Sequence, residues 1–238
     1  MDKISIITIC YNCMDDLRMT VESVISQHYP DKEYIIIDGG STDGTLDVIH
    51  QYGEHITSYV SEPDNGIYDA LNKGIRKATG EWILCLNAGD VFTDENTLNN
   101  VFAHNNLDSY SVIYSDCLVR NRDHQMVRAT MNRSKGLVHH QNAIYRKSLH
   151  DEHGMYLVTK PYVVSDLLFL LSIEEGSYLK IDTPIAISKE GGISCALWSG
   201  EQATGLRIAL GIEHMPGGFL YYLKLRVRLW LQHIKNHN

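Results

Sequence analysis

No apolar run in this sequence reaches the roughly 18 residues that a membrane-spanning helix needs. No charged-then-apolar segment opens it either, because residues 4–9 are too short and read as a strand. The five cysteines (Cys10, Cys13, Cys85, Cys117, Cys195) are odd in number and follow no regular framework, which argues against a disulfide scaffold and for a reducing compartment. A cytoplasmic protein is expected. Basic excess is missing too: 21 Lys and Arg against 29 Asp and Glu leave a net charge of −8. That balance argues against a whole-protein nucleic-acid binder, though not against a local anion site. No Gly-x-Gly-x-x-Gly follows a strand, so an NAD-dependent enzyme is disfavoured. No glycine lies between Cys10 and Asp15, where a sugar nucleotidyltransferase would carry its phosphate loop after strand one. Internal repeats and low-complexity stretches are absent.

What is present is one α/β domain's worth of chain: 238 residues, 44% hydrophobic and 21% charged. Residues 4–9 and 34–37 are β-branched runs suited to strands buried on both faces. Between them Leu17, Val21, Val24, Ile25 and His28 recur at helical spacing. Asp43 can cap a helix reaching about residue 52, residues 56–61 form a third strand, and Ile67, Leu71, Ile75 and Ala78 line the next helix before a strand at 82–86. This alternation predicts βαβ units and a mainly parallel sheet with helices on both faces. The second half predicts a strand at 112–114, a hairpin at 117–128 turning at 121–124, helices at 141–149 and 165–173, and strands at 178–181 and 185–188.

Open α/β sheets bind ligands beyond the carboxyl ends of their strands. Four polar clusters sit at such ends: residues 8–12, 38–43, 62–66 and 87–90. Asp38, on a turn with Gly39 and Gly40, is a candidate for a base or ribose contact, and equally a residue that fixes the turn. In the run from Ser61 to Ile75, turn amides and a helix N-terminus suit a diphosphate. Tyr68 shares a helix face with Asn72, and Asp69 with Lys73, the second pair being also an ordinary ion pair. Asp90 ends the fourth cluster, where a hard divalent cation bridging two phosphates needs only one or two protein carboxylates.

The ordered set Thr8-Ile9-Cys10-Tyr11-Asn12, Ile37-Asp38-Gly39-Gly40-Ser41-Thr42-Asp43-Gly44-Thr45, the 61–75 run and Leu86-Asn87-Ala88-Gly89-Asp90 resembles family 2 glycosyltransferases of the GT-A fold, nearest to bacterial enzymes of colanic-acid-type and other surface polysaccharides. The likeness covers about residues 3–195. It implies inverting transfer of a sugar from a nucleotide-diphosphate donor to a saccharide or lipid-linked saccharide hydroxyl. It also implies donor contacts from Thr8, Tyr11, Asp38, Glu62, Asp64, Tyr68, Asn72, Lys73 and Asn87, and Mg2+ or Mn2+ on Asp90. The family's Asp-x-Asp-type motif lacks its earlier carboxylates here, since Gly89 precedes Asp90. Asp166, in Val163-Val164-Ser165-Asp166, matches the family's base; by spacing alone it is an N-terminal helix charge. His140 and Gln141 resemble a His-Gln step between donor and acceptor halves, and residues 189–194 a loop that closes over the donor.

The resemblance implies a GT-A domain over residues 1–200, with a donor half to 116 and an acceptor half from 117, followed by a helical tail at 201–238. From Gly217 the only charged side chains are Lys224, Arg226, Arg228 and Lys235, and Leu223, Val227, Trp230, Leu231 and Ile234 share one helical face. Such a tail can lie on an anionic membrane, or dock on its own domain or a second subunit; residues 223–231 also alternate like a strand. Two rival functions stand beside the transferase: a thioredoxin-like redox protein built on Cys10-Tyr11-Asn12-Cys13, and a module that binds a nucleotide sugar without turning it over.

Overall fold

The computed structural model describes residues 2–103, 107–159, 163–191 and 197–214. In chain order the elements are β1 (Ile4–Cys10), α1 (Met14–Ile25), β2 (Lys32–Asp38), α2 (Thr45–Gln51), β3 (Ser58–Ser61), α3 (Ile67–Lys77), β4 (Trp82–Cys85), β5 (Val91–Phe92) and α4 (Thr97–Phe102). They continue as β6 (Val112–Ser115), β7 (Cys117–Arg120), β8 (Met126–Ala129), β9 (Ala143–Arg146), α5 (Leu149–His153), α6 (Ser165–Ser172), β10 (Tyr178–Ile181), β11 (Ala186–Lys189) and α7 (Leu197–Ala209). A seven-stranded sheet runs β10-β6-β9-β4-β1-β2-β3, and a four-stranded sheet runs β5-β11-β7-β8. In the large sheet only β9 is antiparallel to its neighbours.

The central strands of the large sheet are largely apolar because both faces are covered. Ile4 and Ile6 of β1 join Leu17, Val21 and Val24 of α1 and Val48 and Ile49 of α2 on one side. Ile7 joins Ile35 and Ile37 with Leu71 and Ile75 of α3 and Leu170 of α6 on the other. The period-2 pleat separates alternate β1 residues between two cores, which is why residues 4–9 show no polar stripe. Behind α6, His150 stacks on Phe169 at 4.3 Å, with Tyr145 and Tyr156 against the same ring. At the amino ends of β1, β2 and β4 the buried Glu33 accepts from Ser5 Oγ, Thr79 Oγ1 and the Gly80 amide and pairs with Lys3. Burial alone would raise its pKa, but these donors hold it at about 2.

The helix expected at 141–149 is not found. A short 3-10 turn at His140–Asn142 leads into β9, and α5 follows at Leu149–His153. Ala143, Ile144 and Tyr145 make a short apolar run that periodicity does not separate from a buried helix, and pairing with both β4 and β6 decides for the strand. The third strand begins at Ser58 rather than 56. The halves divided at 116 interlock, since β9 separates β4 from β6 and β5 pairs with β11. Residue 201, the expected start of the tail, falls within α7. The amphipathic segment from Gly217 and the loop residues from Gly192 to Ala196 lie outside the described residues. Among the described residues no helix is long and apolar enough to cross a membrane.

Gly74 marks the closest approach of α3 to the sheet: a Cβ there would stand 2.4 Å from Ile7 Cγ2. A helix-interior Gly→Ala change normally stabilises by about 0.5–1 kcal/mol. Here the methyl meets a stiff β-branched side chain, and overpacking of this kind costs about 1–3 kcal/mol. Gly74→Ala is therefore expected to lower the urea midpoint, and an unchanged or raised midpoint would show that α3 is not seated on Ile7.

Candidate active site

Strand register brings the four polar clusters to one margin. Cys10 lies opposite Asp38, and Asp38 opposite Ser61. The Leu86 amide donates to Ile7 O and the Ala88 amide to Ile9 O, so β4 ends beside β1. Asp38 and Asp90 thus share the carboxyl edge of the sheet.

Several side chains expected to meet the donor have partners within the protein. Thr8 is buried, donating to Leu86 O at 2.7 Å and accepting from Tyr34 Oη at 3.1 Å. Asp38 is 0% exposed; its carboxylate accepts from the Ser41 amide, Ser41 Oγ and Ser61 Oγ, and so builds the turn. Asn72 uses both ends of its amide on the Tyr156 backbone, at 2.8 and 3.1 Å. Lys73 pairs with Glu62 at 2.9 Å and donates to Pro63 O at 3.1 Å, which folds the 62–66 turn onto α3. The amides expected to seat a diphosphate are also occupied: Asn65 donates to Asp69 Oδ2 and Gly66 to Asp64 Oδ1. The start of α3 carries its own anions. Tyr11 differs, standing 64% exposed with its ring against Gly39, beside Asp64.

The chemistry gathers around residues 87–90, 140–141 and 166. Asp90 is 5% exposed, and its Oδ1 accepts the Lys189 amide at 3.0 Å. Burial pushes its carboxyl up to about 6, with the Lys189 amide, His140 and Gln141 opposing only in part. Among the described residues no three His, Cys, Asp or Glu side chains cluster as a metal set. A single hard carboxylate with no direct ion pair fits a divalent ion whose other ligands are phosphate and water. The side-chain oxygens of Asn87 and Gln141 are buried with no hydrogen-bond partner among the described residues.

Asp166, in the first turn of α6, is held at both oxygens. Tyr68 Oη donates to Oδ1 at 2.7 Å while accepting the Ser165 amide at 3.0 Å, and His140 Nδ1 bonds Oδ2. Burial alone would raise the Asp166 pKa; the His140 charge and the two hydrogen bonds overcome it and hold it at about 2. Burial disfavours the charged His140 ring, yet Asp166 and Asp90 outweigh it and its pKa is raised. His139, stacked on His140 at 5.8 Å, is lowered by burial to about 4 and stays neutral. Tyr68 and His140, expected at the donor and at the acceptor or diphosphate, therefore both reach Asp166.

Two residues at this centre, Thr20 and Asp16, carried no recognisable sequence signal, whereas Lys189 opens the 189–194 loop and Gly89 stands in the motif. Thr20 Oγ1 accepts the Gly89 amide and donates to Asp90 O. Lys189 supplies its amide to Asp90 and its ammonium to Asp16, at 2.6 and 2.8 Å. Gly89 has φ +97°, and a Cβ there would lie 3.2 Å from Lys189 Cδ and 3.5 Å from Asp16 Cγ. The Asp16–Lys189 pair thus fills the space beside Gly89. A cleft of about 390 Å³ lined by Thr97, Asn100, Val101, Ala103, Ile181 and Thr183 includes none of these groups. The Cys10 and Cys13 thiols are free. Their hydrogen bond lowers the Cys13 pKa and raises that of Cys10.

A mostly parallel sheet with buried acids at its carboxyl margin defines an α/β protein that takes its ligand beyond the strand ends. Comparison makes this particular: residues 5–167 match the profile of Glycosyl transferase family 2, and the chain belongs to that family. It is 38% identical over 96 residues to a poly-beta-1,6-N-acetyl-D-glucosamine synthase of Staphylococcus epidermidis, covering 40% of this chain and 23% of that protein. It is 32% identical over 160 residues to a PGL/p-HBAD biosynthesis glycosyltransferase of Mycobacterium bovis, covering 64% of this chain and 62% of that one. The chain therefore spans less than two thirds of either relative. Its fold matches S. aureus TarS 1–349 in complex with UDP-GlcNAc at a TM-score of 0.69, with 18% identity over 87% of this chain and 66% of the other. It matches mannosyltransferase PcManGT from Pyrobaculum calidifontis, in complex with GDP-Man and Mn2+, also at 0.69, with 20% identity over 94% and 69%. The GT-A-like fold is the one found, and nothing in these relatives supports a thioredoxin-like protein.

Restoring the absent carboxylate tests the crowding at residue 89. Gly89→Asp forces a left-handed backbone on an L side chain, costing about 1–2 kcal/mol, and displaces Lys189. A lower melting temperature is expected, with no gain in Mn2+ affinity by calorimetry. A stable variant that binds Mn2+ more tightly would mean that the Asp16–Lys189 pair does not occupy that space.

Proposed function

We propose that this chain is an inverting glycosyltransferase that moves a sugar from a nucleotide-diphosphate donor to an acceptor hydroxyl in polysaccharide or glycolipid biosynthesis. The observation that carries this reading is the gathering of Asp90 and Asp166 around His140, at the sheet margin of a family 2 chain. Tyr11, exposed beside Gly39 and Asp64, suits the nucleotide base, and Asp90 suits the diphosphate. Asp38 acts by shaping the turn beneath.

The chemistry follows from the two carboxylates. The acceptor oxygen attacks the anomeric carbon as the bond to the diphosphate breaks, and the diphosphate leaves with the electron pair. The acceptor proton passes to Asp166, which is ionised across the neutral range. Mg2+ or Mn2+ held by Asp90 would supply positive charge for the departing diphosphate. A saccharide or lipid-linked saccharide suits the acceptor, and the basic segment at 217–238 suits an anionic membrane surface. The free thiols suit a reducing, cytoplasmic setting.

Two measurements test this reading. Ligands that bind only the folded chain stabilise it by about 2.7 kcal/mol at 100 times Kd. UDP or GDP with Mn2+ is expected to raise the melting temperature by several degrees, and less so without the metal; no shift with either nucleotide or dTDP would remove the donor site. Asp166→Asn is expected to lower transfer by about 10²–10⁴-fold while nucleotide binding holds. Unchanged transfer and donor hydrolysis would remove Asp166 as the base and favour a binding module.

A further inference from the structure

We infer that His140 is a positioning residue that, with Tyr68, fixes the carboxylate of Asp166 before the acceptor arrives; this rests on the reading of Asp166 as the base. The side chains of His140 and Asp166 are only 13% and 16% exposed. No side-chain cap bonds the start of α6, where Val164 occupies the cap position. An aspartate there would turn freely about its side-chain torsions unless both oxygens were held. Tyr68 holds Oδ1 from α3 and His140 holds Oδ2 from the turn before β9, so the plane of the carboxylate is set from two separate elements.

The His140 ring is itself fixed. One face stacks on His139 at 11° between planes, and Nε2 lies 3.4 Å from Asn87 Nδ2. Asn87 Oδ1 has no partner among the described residues. Turning that amide over would bring its oxygen to Nε2 and give it a donor. His140 therefore ties the end of β4, where the donor diphosphate is expected, to the start of α6, where the base stands. An ionised carboxylate offers about four lone-pair directions, so the bonds from Tyr68, His140 and the Leu167 amide leave room for the acceptor hydroxyl. In the transfer step His140 keeps its Nδ1 proton, and the acceptor proton ends on Asp166. Holding a base in a reactive geometry matters because a misplacement of about 1 Å can cost 10²-fold in rate.

Two amide substitutions separate this role from others. An asparagine amide can stand where Nδ1 stood, and a glutamine amide where Nε2 stood. UDP-N-acetylglucosamine and GDP-mannose, each with Mn2+, serve as probes, with release of nucleoside diphosphate to water read for the unsubstituted chain, His140→Asn, His140→Gln and Asp166→Asn. His140→Asn is expected to keep kcat within about 10-fold and His140→Gln to lose about 100-fold, with donor KM alike in both. Equal losses in the two variants, or a change confined to KM, would overturn the inference. If Asp166→Asn abolishes turnover while His140→Gln keeps it, the positioning role alone fails; if Asp166→Asn keeps turnover, the base reading fails. Histidine side-chain nitrogen NMR needs no substrate. It should show His140 Nδ1 protonated and its resonance shifted in Asp166→Asn, whereas an unprotonated Nδ1 in the unsubstituted chain would also overturn the proposal.

Discussion

The site depends on one strand running the wrong way. In a parallel sheet only the residues that follow each strand reach the ligand margin. β9 is antiparallel to both β4 and β6, so it is the turn preceding it, His140–Asn142, that arrives there. That reversal sets His140 beside Asn87 and Gln141 near Asp90. Asn142 fastens the turn in place, its Oδ1 accepting from Ser115 Oγ and the Ala186 amide. Without β9, Asp166 on α6 would lose the His140 link to the end of β4.

Around that turn, two buried carboxylates are driven apart by their surroundings. Asp90 has one backbone donor and is pushed up to about 6, whereas Asp166 has two side-chain donors and a neighbouring positive charge and is held at about 2. The pattern is that of two acids whose surroundings push their pKa values apart. The overall charge of −8 has no bearing on this contrast, which is set within a few ångströms.

The sequence made the first half of the fold legible because each strand there is an apolar run followed by its own polar cluster, as in Ile35-Ile36-Ile37-Asp38. The carboxyl margin and the place of Asp90 on it were readable from it, and Asp166 was singled out only through family likeness. What could not be read were contacts between distant segments. Nothing in Tyr68-Asp69-Ala70-Leu71-Asn72 says that the tyrosine meets a residue 98 positions away or that the asparagine clamps Tyr156. The polarity of Thr8, Asp38 and Asn72 signalled function, but hydrogen-bond satisfaction inside the protein uses them. β9 was misjudged because a short apolar run shows no decisive period.

The interlocking of the two sheets bears on how such a protein can be divided. β9 lies between two strands of the chain's earlier part, and β5 is paired with β11 from its later part. A fragment ending near residue 116 would leave β4 and β6 each with an open hydrogen-bonding edge and no strand between them, a surface that invites aggregation. Exchange of segments between relatives is therefore constrained to loops between strands, since a cut at mid-chain would unzip the sheet that carries both Asp90 and the His140–Asn142 turn.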